Sequence, residues 1–278
     1  MSIRCQIKHN GCYPIKSSNE VVKKIKAQIG TKSILVVIYE TAHIINIFVG
    51  GREKWCINCE LIQRDGKIQP MGYLIKIRYD MLCSLDHNFT RGHDIKQILY
   101  FLIDYIYQTY PDVKELQFND MSIRTCENGK SVNLAVMTYL YSGQTWYEKN
   151  FGAYISKQHT YDMKKILQKY NDAKKIKWSE MSGTIRSTMP LEDLYNNSST
   201  WKGFFEPIYN NMEIGDFCVF ISDWIDSFIA KYFNAFGGLT FLLQIRKLAI
   251  TYTLSDYIHQ GGRRYTRKLT YKQSQDYR

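Results

Sequence analysis

The chain has little proline and little glycine, 5 and 17 among 278 residues. That scarcity excludes collagen-like and proline-rich architectures. No run approaches the roughly 18 consecutive apolar residues that a membrane-spanning helix needs, and no apolar leader core follows Met1-Ser2-Ile3-Arg4. There is no internal repeat and no low-complexity tract. The seven cysteines (Cys5, Cys12, Cys56, Cys59, Cys83, Cys126 and Cys218) are odd in number and widely scattered. They read as mostly free thiols in an intracellular, reducing compartment. What the chain does have is 45% hydrophobic and 14% aromatic residues. That is ample for a packed core and excludes pervasive disorder. The length suits one large domain or two modest ones.

Lysine and arginine number 37 against 26 acidic residues, a net charge of +11. The excess is concentrated at the end. From His259 to Arg278 there are six cations (Arg263, Arg264, Arg267, Lys268, Lys272 and Arg278) and one anion, Asp276. The rest of the chain is only mildly basic, so its charge does not demand a large nucleic-acid groove. The tail mixes its cations with Tyr265, Tyr271 and Tyr277. Such a mixture can release counterions from phosphates and stack on unpaired bases, and it equally suits a solvated end or an address signal.

Hydropathy patterning gives the order of elements. A short helix is expected around Asn19–Ile29. The β-branched stretch Ser33–Val49 predicts two strands joined near Thr41-Ala42, and Trp55–Ile62 a third, followed by a turn at Gln63–Lys67. Tyr73–Tyr79 alternates apolar and basic residues, as a half-buried strand does. Asp94–Tyr110 carries Ile95, Ile98, Leu99, Leu102, Ile103 and Ile106 at helical spacing, with Pro111 as its stop. Val113–Asn119 predicts a strand. Asn133–Asn150 predicts a helix loosened at Ser142-Gly143, and a short strand begins at Tyr154. Beyond residue 160, Tyr161–Ala173, Leu191–Tyr195, Trp201–Tyr209, Cys218–Phe233 and Phe236–Tyr257 read as helical, and the tail from residue 260 as mobile. The expected organisation is an α/β domain over 1–157, a mostly helical region over 158–259 and a basic flexible tail over 260–278.

The unit Tyr73–Tyr79, loop, helix from Asp94 ends its loop in Arg91-Gly92-His93. A helix N-terminus preceded by a cation and a glycine suits a pyrophosphate, and an ordinary capped loop would look the same. A second strand follows, ending in Asp120, and then a helix carrying Thr145-Trp-Tyr-Glu-Lys-Asn-Phe-Gly152. Over residues 33–157 this succession resembles the GNAT acyl-CoA N-acyltransferase core. The resemblance implies an α/β (α+β) fold with a mixed sheet and flanking helices, and acetyl-CoA as cofactor. It places Arg91, Gly92, His93 and Asp94 in the loop that binds the cofactor pyrophosphate through backbone amides. It implies two central strands that splay to admit the pantetheine arm. Tyr147 then takes the position of the tyrosine that protonates the departing thiolate. The acceptor is an amine of unknown identity. The loop departs from the family pattern in lacking a second glycine, and glycine and phenylalanine are exchanged after Tyr147-Glu148-Lys149. The alternative is therefore a catalytically inactive GNAT-like scaffold whose basic tail contacts protein or nucleic acid.

The ending Gly261-Gly262-Arg263-Arg264-Tyr265-Thr266-Arg267-Lys268 resembles Gly-Gly-Arg-rich endings on proteins of large DNA viruses of algae and protists. That resemblance implies a cytoplasmic virus factory or a virion, with nucleic acid or a viral protein met through Arg263, Arg264, Arg267 and Lys268.

Other constellations have bland readings. Cys56-x-x-Cys59 has the spacing of a zinc half-site, but Cys83, His87, His93 and Cys126 form no second pair, so no metal is expected. Cys83 or Cys126 with His87 or His93 would give a thiol nucleophile, but nothing resembles a nucleophile elbow. Asp120 and Ser122 follow the carboxyl end of the central strand, where a general base or a substrate hydrogen bond would sit, and they equally suit capping. Lys76 and Arg78 suit a solvated sheet face. Phe204, Phe205, Trp224, Phe228, Tyr232, Phe233 and Phe236 suit core packing.

Overall fold

A computed structural model describes residues 5–8, 11–14, 21–52, 54–77, 81–86, 88–90, 92–120, 123–156, 177–181, 191–225, 240–257 and 268–269. The chain is a mixed α/β (α+β) protein, and it divides into two compact units. The first comprises Met1–Gln117 with Gln244–Arg278, and the second Phe118–Leu243.

The first unit is built on an antiparallel meander: β3 (Val21–Ile29), β4 (Lys32–Glu40), β5 (Ile44–Gly50), β6 (Trp55–Arg64) and β7 (Lys67–Ile77). A separate hairpin, β1 (Cys5–Lys8) with β2 (Gly11–Pro14), precedes it. β4 is buried along Ser33–Ile38, as expected of a continuous β-branched run in a sheet centre. β5 alternates, with Ile45, Ile47 and Val49 fully buried and Ile44, Asn46 and Phe48 half-buried. Asp65 and Gly66 both take positive φ, 51° and 71°, which closes the β6–β7 hairpin with a twist that matches the strands. The helix expected over Asn19–Ile29 is instead β3. Ile25, Ala27 and Ile29 are buried while Lys24 and Lys26 are exposed, a period of two, because β4 and β13 (Tyr252–Asp256) flank the segment.

After β7 a 3-10 turn (Met81–Cys83) leads to α1 (His93–Thr109), which returns the chain to β8 (Glu115–Asn119). The buried residues of α1 include Ile95, Ile98, Leu99, Leu102, Ile103 and Ile106, the stripe read from the sequence. β7 and β8 are parallel, as a helical crossover between neighbours requires. Their register covers only Met71↔Glu115, Gly72↔Leu116 and Tyr73↔Gln117, although β7 runs on to Ile77 and β8 to Asn119. β13 pairs with β3 and, on its other side, with β14 (Lys268–Leu269) through Leu254↔Leu269 and Ser255↔Lys268. That two-residue strand is the described part of the expected flexible tail; Arg263, Arg264 and Arg267 lie outside the described residues.

In the second unit the hairpin β9 (Ile123–Thr125) with β10 (Ser131–Asn133) leads into α2 (Leu134–Ser142) and α3 (Trp146–Phe151). The helix expected over Asn133–Asn150 is thus broken where it read as loosened, with Gly143 left-handed at the end of α2. β11 (Tyr154–Ile155) pairs with β12 (Thr240–Gln244). α4 (Trp178–Met181), α5 (Leu191–Asn197), α6 (Trp201–Asn210) and α7 (Ile214–Ser222) are the described helices between them. Phe204, Phe205 and Trp224 of the aromatic stripe are buried in the core, as are Trp201 and Phe217, and Phe228, Tyr232, Phe233 and Phe236 lie outside the described residues. The helical reading of Phe236–Tyr257 is corrected: β12 and β13 occupy it. Phe241 and Leu243 are buried and alternate with half-exposed neighbours, a period of two in a run too short to declare itself. The helix expected over Tyr161–Ala173 lies outside the described residues.

The expectation of mostly free thiols is also corrected. Cys56 is bonded to Cys83 and Cys126 to Cys218, with Cα separations of 5.7 and 5.5 Å. Cys59 is a buried free thiol. Spacing alone could not show this, because the partners are 27 and 92 residues apart. The Cys56-x-x-Cys59 pair is therefore no zinc half-site, and neither Cys83 nor Cys126 holds a thiol to act as nucleophile. No described helix is long and apolar enough to cross a membrane.

Candidate functional site

The sequence-predicted residues fall into two groups. Gly92, His93 and Asp94 belong to the first unit, and Asp120 and Tyr147 to the second. Arg91, Ser122 and Arg78 lie outside the described residues.

In the first group Gly92 is the N-cap of α1 at φ 80°, ψ −66°, a positive-φ conformation that favours glycine. No atom lies within 4 Å of where a Cβ would stand. His93 opens the helix, and its side chain is largely exposed. Asp94 is 5% exposed and turns inward. Its carboxylate accepts the Thr90 N–H at 2.5 Å, faces His93 Nδ1 at 3.1 Å and pairs with Lys32 Nζ at 3.3 Å. Burial pushes the Asp94 carboxyl up, but the Thr90, His93 and Lys32 contacts outweigh it and hold the group below its usual range. Lys32 also donates to the Asn88 carbonyl. A pocket of about 310 Å³ opens beside this turn, lined by Lys32, Phe89, His93, Asp94, Gln97 and Ile250 among others. Sequence reasoning missed Lys32, which reaches Asp94 only because the β3–β4 turn folds against the start of α1.

In the second group Tyr147 is presented by α3. Thr145 caps that helix reciprocally with Glu148: the Glu148 N–H donates to Thr145 Oγ1 at 3.3 Å, and the Thr145 N–H to Glu148 Oε2 at 2.7 Å. The Tyr147 ring lies 4.7 Å from Phe118, 5.0 Å from Trp146 and 6.3 Å from Phe151, and is 7% exposed. Asp120, also 7% exposed, follows directly on β8. Burial raises the Tyr147 hydroxyl well above the ordinary tyrosine range, and the negative charge of Asp120 raises it further. The fold thus brings together the two residues expected to do chemistry. Burial and the Asp120 charge both keep the phenol protonated and make it a weaker acid than a free tyrosine.

On β7, beyond the end of its register with β8, Ile75 is an extra residue between the pairs Cys59↔Leu74 and Asn58↔Lys76, a bulge, and it is 54% exposed. Among the described residues no three His, Cys, Asp or Glu side chains group as metal ligands.

No family model matches the chain, and neither a curated protein nor a solved structure matches it.

Proposed function

We propose that the protein is a CoA-dependent N-acetyltransferase of GNAT-like build, with acetyl-CoA as donor and an amine as acceptor. The observation that carries the reading is the parallel β7–β8 pair, joined through α1, whose register stops after three residues while both strands continue. A parallel pair joined by a helical crossover is what the family resemblance requires, with the strands splayed to admit the pantetheine arm. The bulged, exposed Ile75 offers that arm an apolar contact.

The reading assigns the cofactor diphosphate to the Gly92–Asp94 turn. There the α1 N-terminus, the open space around Gly92 and the Lys32 ammonium favour an anion. By the family resemblance it assigns the thioester chemistry to Tyr147. A neutral acceptor amine attacks the thioester carbonyl, and the tetrahedral adduct collapses to the amide. The Tyr147 O–H protonates the departing thiolate as the C–S bond breaks, and the ammonium proton of the new amide is lost to a base. Asp120 stands near the phenol, and its charge, after burial, makes that hydroxyl a weaker acid than a free tyrosine.

A second reading, a non-catalytic scaffold, is favoured by one observation. The Asp94 carboxylate occupies the inner side of the turn that a diphosphate would use. Steady-state thiol release from acetyl-CoA over a panel of primary amines separates the two. The enzyme reading expects amine-dependent release, and it expects Tyr147→Phe to lower kcat with little change in KM for acetyl-CoA, because the hydroxyl acts on the leaving group and not on the ground state. Release that is no faster than the protein-free blank with every amine supports the scaffold.

A further inference from the structure

On β6, Asn58 and Glu60 stand on the same side of the sheet, since the β5–β6 register is regular there: Phe48↔Asn58, Ile47↔Cys59 and Asn46↔Glu60. On β7 the same side carries Lys76 opposite Asn58 and Tyr73 opposite Glu60. Both β6 side chains are half-buried. The Asn58 Oδ1 atom is buried and accepts no hydrogen bond. Glu60 has neither a hydrogen bond nor an ion pair among the described residues, and desolvation raises its carboxyl above the usual range. A buried acceptor without a donor, as Asn58 Oδ1 is, is costly to a folded protein and calls for an explanation, and the half-buried Glu60 carboxylate stands beside it. Phe48, beside Asn58, is half-buried and gives the patch an aromatic wall. The patch lies along the stretch of β6 and β7 that holds the Ile75 bulge, and bulges gather near functional sites.

We propose that Asn58 and Glu60 form a recognition site for a primary ammonium group carried on an apolar stem. The ammonium supplies the donors that both oxygens lack, Glu60 supplies the countercharge, and Phe48 and Tyr73 frame the stem. Under the acetyl-transfer reading this ligand is the acceptor amine, and only that name rests on the reading. The site needs no cofactor to bind.

The test uses the full chain without acetyl-CoA. n-Butylammonium chloride is titrated while the Asn58 side-chain amide and the Glu60 carboxyl carbon are followed by NMR, with 1-butanol as the uncharged control. Saturable shifts of both groups with butylammonium at millimolar concentration, and none with 1-butanol, are expected. Glu60→Gln should weaken binding about tenfold, the loss of one charged hydrogen bond. Asn58→Leu should abolish the binding yet raise the thermal midpoint, because it removes an unsatisfied acceptor from the sheet. No saturable shift, equal shifts with 1-butanol, or unchanged affinity in folded Glu60→Gln would overturn the proposal. Butylammonium binding in a protein that transfers no acetyl group would sink the enzyme reading and leave this site standing. Acetyl transfer without amine shifts at Asn58 would do the reverse.

Discussion

Asp104, on the buried side of α1, offers the sharpest test of how the first unit is held together. It is 2% exposed, and its carboxylate accepts the Leu248 N–H at 3.0 Å and the Tyr252 hydroxyl at 3.1 Å. One buried group thus fastens α1 to the segment that leads into β13. Replacing Asp104 with alanine leaves two donors without an acceptor. Two charged hydrogen bonds at roughly 1.5–3 kcal/mol each, less the relief of no longer burying a carboxylate, give a loss of about 3 kcal/mol. For a unit of this size that lowers the thermal midpoint by roughly 6–12 °C. Tyr252→Phe keeps the edge contact with Phe101 at 4.9 Å and removes only the hydroxyl. It should cost about 1 kcal/mol. Urea denaturation of the two single variants and the double variant closes the cycle, and a coupling of about 1 kcal/mol between the positions is expected. A loss below about 1 kcal/mol for Asp104→Ala, or no coupling, would refute the account, because the carboxylate would then not be holding that segment.

Two further outcomes follow from the same geometry. Burial, chiefly, raises the hydroxyls of Tyr110, Tyr141 and Tyr147, that of Tyr141 to about 12 with help from Tyr209. Their folded values lie above the unfolded value of about 10, so the unfolded chain gives up these protons first. The stability they contribute is complete below pH ~10 and is lost as the pH rises through and beyond it. Tyrosinate absorbance should show a late-titrating class that merges with the rest once the protein unfolds. Peptide mapping under non-reducing conditions should recover Cys56 linked to Cys83 and Cys126 linked to Cys218, with Cys59 alkylated only after unfolding. Chain-entropy arithmetic over separations of 27 and 92 residues gives upper values of about 3.5 and 4.6 kcal/mol for the two bridges. Cys126→Ser/Cys218→Ser should therefore lower the urea midpoint more than Cys56→Ser/Cys83→Ser.

The legible parts of the sequence were those where one local pattern outweighs its neighbours. α1 shows itself through six apolar residues at helical spacing, and β4 through its β-branched run. The parallel relation of β7 and β8 follows from the helix between them. β3 was misread because the lysines in Val21–Ile29 fit a helix face as well as a strand face, and only β4 and β13 decide between them. The same holds for β12 and β13, whose five-residue runs are too short for a period to emerge. Tyr147 is legible through family resemblance and Asp120 through its place at a strand end, but nothing in the sequence tells that the two lie near each other. No local signal tells that Phe118, Trp146 and Phe151 bury the phenol. Asn58 and Glu60 were passed over altogether. Polar alternation in a strand usually marks a solvated face, and what sets these two apart is that the buried Asn58 Oδ1 accepts no hydrogen bond and Glu60 makes none among the described residues, which no sequence pattern records.

The central claim is acetyl-CoA use, and calorimetric titration of the intact protein with acetyl-CoA tests it most directly. The account predicts saturable binding of one cofactor per chain, equal heat for Tyr147→Phe, and competition by free CoA. Absence of binding at millimolar acetyl-CoA, by a protein shown folded by its thermal transition, would contradict it.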